Sequence, residues 1–172
     1  MNERPVAGAV RRGASGTTGG ATAAVDVLPV LSEVAALAVT IWGEARAETP
    51  NGQIAVGQVV LNRRAAGRWG ATVNSVVGAR LQFSCWWAAG GVENFRAVLD
   101  LATRVARGDA PRELAQCLWV AGGLLDRLIT RDLVRGATHY LTAELLRTAP
   151  PAWAQGQTPV AKLDRHVFFR VA

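Results

Sequence analysis

The feature that most constrains this chain is a join between two apolar helical stretches, "IWGEARAETPNGQIAVGQVVLNRR", from Ile41 to Arg64. Val30, Leu31, Val34, Leu37, Ala38, Ile41, Trp42 and Ala45 recur at helical spacing, so one helix is expected over 28–45. Thr49 then supplies a cap and Pro50 a first-turn residue for a second helix over 52–64. The join also carries two carboxylates, Glu44 and Glu48. On a helical wheel Glu44 lies at the flank of the apolar stripe, at the rim of the core. Half desolvation there favours the neutral, proton-donating form of a carboxyl group. Glu48 stands just before a helix start, where the helix dipole stabilises an anion.

The rest of the chain reads as one domain behind a tail. Residues 1–26 are rich in Gly, Ala, Ser and Thr and hold too little apolar surface to order themselves, so a flexible tail is expected there and a catalytic-sized domain over 27–172. Residues 67–80 read as a loop with short turns. Helices are expected over 93–107, closed by Gly108, and over 112–128, with Gly122 and Gly123 weakening the middle. "ATHYLT" and "RHVFFRV" are β-branched and aromatic and read as two short strands, with "LQFSCW" as the candidate third. The expected class is α+β, mainly helical with a small antiparallel sheet.

Composition narrows the chemistry. The chain carries 19 Lys and Arg residues, all arginine but Lys162, and a net charge of +6. Such a balance suits an anionic partner, a wall polymer or a membrane surface, unless it reflects only the base composition of the genome. The arginines are scattered, which argues against a nucleic-acid-binding arm. His139 and His166 are the only histidines and have no ligand partner at zinc spacing, so no metal is expected. The glycine-rich "GASGTTGG" leads into no phosphate loop, so no nucleotide cofactor is expected either. Cys85 and Cys117 read as two buried thiols rather than one bridge. The carboxylates remain. A glycosidase needs an acid to protonate the departing glycosidic oxygen, and Glu44 is placed to be one. The plainer reading makes Glu44 a solvated helix-end residue and Glu48 a cap, in a basic protein that binds wall polymer or nucleic acid without catalysis.

The segment "GEARAETPNGQIAVGQVVLNRR" closely resembles the signature of the cell-wall hydrolase family typified by spore-cortex-lytic enzymes: Gly-Glu-Ala-Arg-Gly-Glu, Gly-Gln-x-Ala-Val and Asn-Arg. Gly43, Glu44, Ala45, Arg46, Glu48, Gly52, Gln53, Ala55, Val56, Asn62 and Arg63 match, and Ala47 stands where glycine is usual. "LQFSCW", "RGATHYL", "PAWA" and "RHVFFR" resemble the later motifs in the right order, so the resemblance covers about residues 30–170. Asp164 departs from it, because glycine is usual two residues before the histidine. The resemblance implies a lysozyme-like fold, peptidoglycan as substrate and Glu44 as the essential glutamate. Gln82, His139, Tyr140 and Trp153 become candidate sugar contacts, with Glu48 beside them, while Phe83 is assigned to the core. With one clear acid, the expected chemistry is that of a lytic transglycosylase, in which the 6-hydroxyl of muramic acid closes an anhydro ring. The alternative is a lysozyme that uses Glu48 as second carboxylate. A monomer is expected. The start of the chain lacks the apolar core of a secretory signal, so delivery as a phage lysis or virion enzyme, or by unusual export, is the expectation.

Overall fold

Ser32 opens the first long helix, α1 (Glu33–Ala45), by accepting a hydrogen bond from the Ala35 amide at 3.2 Å. The helix expected from residue 28 therefore starts later, and Leu28–Val30 forms only a 3-10 turn before an extended Leu31. Every residue of α1 from Ala35 to Ile41 is buried. The helix is thus the central rod of the protein rather than an amphipathic surface element. α2 (Pro50–Ala66) starts as expected, with Thr49 accepting from the Gly52 amide, and ends at Gly67 in the left-handed conformation that glycine adopts freely. The segment expected to be loop contains a short helix, α3 (Val73–Gly78), fixed by a capping box between Thr72 and Ser75. α4 (Val92–Ala106) and α5 (Ala115–Leu125) follow and pack with α2 and α3 around α1. Phe83, Trp86, Phe95, Val98, Leu114 and Val120 fill the core between them. The protein's structure, a computed structural model, describes residues 27–88, 91–109 and 111–171. The tail expected over residues 1–26 lies outside the described residues. Cys85 and Cys117 are both buried free thiols.

The sheet has three antiparallel strands, β1 (His139–Thr142), β2 (Ala161–Leu163) and β3 (His166–Phe169), with β3 in the middle. A short helix, α6 (Ala143–Thr148), follows β1. β1 and β3 fall where the sequence pattern placed strands. "LQFSCW" is not the third strand: Ser84–Trp86 is a 3-10 turn. A strand would send Cys85 and Trp86 to opposite faces, whereas both are buried here, and the Trp86 indole donates to Thr40 Oγ1 on α1 at 2.9 Å. The register sets Tyr140 opposite Phe168 and His139 opposite Phe169. Tyr140, His166 and Phe168 therefore share one face, in ring contact with one another, and Phe168 packs on Ala55 and Val59 of α2. His139 and Phe169 lie on the other face, where Trp153 meets both rings.

Candidate active site

Glu44 sits in the last turn of α1, and two separate parts of the chain converge on it. Gly43 makes the approach possible. A side chain there would begin 2.6 Å from Cys85 Cβ, so only glycine lets the 3-10 turn lie flat against the helix. That turn aims two donors at Glu44 Oε1: the Cys85 amide at 2.8 Å and the Ser84 hydroxyl at 3.1 Å. From β1, the Tyr140 hydroxyl donates to Oε2 at 3.0 Å. Burial and the neighbouring Glu44 charge hold the Tyr140 pKa well above its ordinary value, so the phenol keeps its proton. The same two causes raise the Cys85 thiol and leave it unreactive.

Glu44 opens into a cavity of about 250 Å³ lined by Gly43, Arg46, Ala47, Asn94 and Arg165. Among the described residues it is the only carboxylate in that lining. A larger cavity of about 580 Å³, between Asn62, Arg68, Thr138 and Arg170, contains no acid and stands apart from the glutamate. Beneath the site runs a buried cation. Arg63 is 4% exposed; it donates to the backbone carbonyls of Thr138 at 2.6 Å and Gln82 at 3.3 Å, and lies over the rings of Phe83 and Trp69. Together with Asn62, which donates to the Ala137 carbonyl at 2.8 Å, it ties α2 to the approach to β1. The Asn-Arg pair thus holds Tyr140 in place from below.

Glu48 has a different part. Its side chain is buried and paired with the Arg165 guanidinium, and it also accepts from the Arg165 amide at 3.3 Å. Beside it, Asp164 Oδ2 accepts from the Thr49 amide at 3.0 Å and the Thr49 hydroxyl at 2.8 Å. Asp164 has φ +48, a left-handed position. Aspartate tolerates that conformation better than most residues. Asp164 thus takes a turn that glycine would adopt freely and adds a carboxylate at the start of α2, where the dipole favours it. Gly52 makes the room, since a Cβ there would fall 2.3 Å from Asp164 Oδ2.

The remaining candidates are dispersed. Gln82 bonds only its neighbour, the Arg80 carbonyl at 3.3 Å, through its side chain. His139 and Trp153 lie across the sheet from Tyr140, and with Trp69 they form an aromatic row with ring separations of 5.7 and 4.8 Å. Phe83 is in the core, as expected. Of the polar candidates, only Tyr140 touches Glu44. Sequence reasoning passed over Ser84, Arg46, Asn94 and Arg165. Ser84 stood in a quoted motif, but nothing in its spacing said that it returns to Glu44. His166 is buried edge-on to Tyr140 at 5.1 Å, and its Nδ1 has no partner among the described residues. Among the described residues, no three His, Cys, Asp or Glu side chains are placed to hold a metal ion.

Comparison with known proteins supplies the context. Residues 47–169, well over half of the chain, match the family model described as Cell Wall Hydrolase, beginning just after Glu44. The spore cortex-lytic enzyme of Halalkalibacterium halodurans is 27% identical over 137 residues, 80% of this chain and 34% of that protein. The chain thus spans about a third of the length of that relative. Among solved structures, the catalytic domain of the Bacillus cereus SleB protein superposes with a TM-score of 0.55 at 23% identity, covering 80% of this chain and 89% of that one. The catalytic domain of the germination-specific lytic transglycosylase SleB from Bacillus anthracis does so with 0.54 at 23% identity, covering 80% and 93%. These likenesses carry the fold: a mainly helical, lysozyme-like domain with a small antiparallel sheet.

Proposed function

The chain belongs to the cell wall hydrolase family, and from that premise we propose that it cleaves the glycan strands of peptidoglycan at muramic acid linkages, with Glu44 as its single general acid and base. One observation carries this reading. Among the described residues, Glu44 is the only carboxylate lining its cavity and is held at three points, while Glu48 is spent on Arg165. The Cys85 amide can only donate, so Oε1 stays an acceptor in every state. The proton to be transferred therefore belongs on Oε2, beside a Tyr140 hydroxyl that can either donate or accept. Neutral Glu44 gives that proton to the glycosidic oxygen as the bond from muramic C1 to that oxygen breaks. The carboxylate then takes the proton of the 6-hydroxyl as O6 bonds to C1. Glu44 is regenerated, no water enters, and the new end is an anhydro sugar.

A second carboxylate would be needed to place a water or attack the ring. Glu48 would have to leave its arginine to do so. Glu44→Gln is expected to lower the rate at least about a hundredfold, the usual worth of general acid–base catalysis, and to keep the fold. Glu48→Gln should cost far less rate. Mass spectrometry of digested peptidoglycan reads the product, since anhydro and reducing ends differ by one water. Reducing ends as the main product, with Glu48→Gln as damaging as Glu44→Gln, would establish a two-carboxylate lysozyme instead.

A further inference from the structure

The cavity at Glu44 contains more positive charge than the chemistry above uses. Arg46 follows α1 directly and has no carboxylate within ion-pair distance among the described residues, where four such pairs occur. It is nevertheless braced. Its Nη1 donates to Asn94 Oδ1 at 2.7 Å and to the Gly43 carbonyl at 3.4 Å, and its guanidinium lies 4.5 Å from the centre of the Trp42 ring. Asn94 spends both ends of its amide on this arrangement, since its Nδ2 donates to the same Gly43 carbonyl at 3.1 Å. An arginine serving only solubility needs no such support. Across the cavity, Arg165 uses Nε and Nη2 on Glu48, and its side chain is 66% exposed. Two guanidiniums thus face an open space in whose described lining Glu44 is the one carboxylate.

Resting on the proposed cleavage of peptidoglycan, we propose that Arg46, positioned by Asn94 and assisted by Arg165, is a subsite for a carboxylate carried by the sugar being cleaved. Muramic acid bears its lactyl ether on C3, two carbons from the C1 that reacts. A group beside the catalytic acid is therefore at the right range for that substituent. The carboxylate has two possible sources: the lactyl group itself on bare glycan, or an acidic residue of the stem peptide where one is attached. An arginine fork suits either, because it meets a carboxylate through two parallel hydrogen bonds. The contact orients the ring and takes no proton.

The test uses three glycan preparations with the intact protein: strands bearing stem peptides, strands stripped by an amidase, and stripped strands with their lactyl carboxylates converted to methylamides. Arg46→Gln should raise KM about tenfold on carboxylate-bearing strands, the worth of one charge-assisted contact, and leave kcat within about threefold. Arg46→Lys should recover part of the loss. On the methylamide strands wild type and Arg46→Gln should be equal. An effect on stripped strands assigns the lactyl carboxylate; an effect confined to peptide-bearing strands assigns the stem peptide. Equal KM for wild type and Arg46→Gln on every preparation overturns the subsite, as does an equal loss on the methylamide strands. Wild-type protein that cleaves none of the three overturns the underlying activity and the subsite with it.

Discussion

His139 and His166 are neutral for the same first reason. Burial withholds water from the imidazolium, and for His139 the guanidiniums of Arg63 and Arg68 add repulsion, which brings its pKa down to about 4; burial lowers His166 as well. The consequence for stability has a definite sign. Above the ordinary histidine value of about 6.5 both folded and unfolded chains are neutral at these positions and nothing changes. Below it the unfolded chain takes up protons that the native state refuses, so stability falls with pH. Thermal melts should show a falling midpoint from about pH 6.5 toward pH 4. His139→Gln, which cannot titrate, should flatten that slope; an unchanged slope would remove His139 from the account. Tyr140 shifts in the other sense, upward, so its phenol keeps its proton over this whole range.

Among the elements, the 3-10 turn at Ser84–Trp86 has more influence on the site than its size suggests. It is seated on α1 through Trp86 and Thr40, and Gly43 allows the close seat. Gly43→Ala puts a methyl 2.6 Å from Cys85 Cβ and 2.8 Å from both Cys85 Sγ and Val98 Cγ2, so turn and helix must part. Overpacking of this kind costs about 1–3 kcal/mol, measurable by urea unfolding. Because the turn carries two of the three donors to Glu44, kcat should fall by about tenfold or more, as small misplacements at reacting groups do. Wild-type kcat in a destabilised Gly43→Ala protein would free the turn from any positioning role. The turn also shows where the sequence was hard to read. The long helices were legible because their periodicity and caps are local: Thr49 and Pro50 start α2 as their chemistry demands. "LQFSCW" has the composition of a strand, but β propensity measures fit to a half-buried surface, and Phe83, Cys85 and Trp86 are fully buried. The true third strand, Ala161–Leu163, has no β-branched residue and owes its place to pairing with β3. Glu44 was picked out as the candidate acid from its motif. Its partners were not, because Ser84 and Tyr140 are 40 and 96 residues away. One signal was present and unused: neighbours on a strand face opposite sides, so His139 and Tyr140 could not both approach the same carboxylate.

At the scale of the whole molecule, a net charge of +6 acts over distances that no single contact reaches. Ions at 0.1 M screen exposed charges beyond about 10 Å. Binding to whole walls should weaken as salt is raised, read by co-sedimentation, while kcat on short soluble glycans should change little. Binding indifferent to salt would assign the charge to genome composition. The long reach of the contacts at the site has a further consequence, one of timing. Tyr140 meets Glu44 across 96 residues of chain, and Arg165 meets Glu48 across 117. Helical contacts of short range form early, and pairings distant along the chain form late. A chain that has gathered only its helices owns the glutamate but lacks the strand that aims it and the hairpin that closes its rim. The geometry around Glu44 is therefore complete only once the strands have paired, and a chain with its helices alone holds the carboxylate without the hydroxyl that aims it.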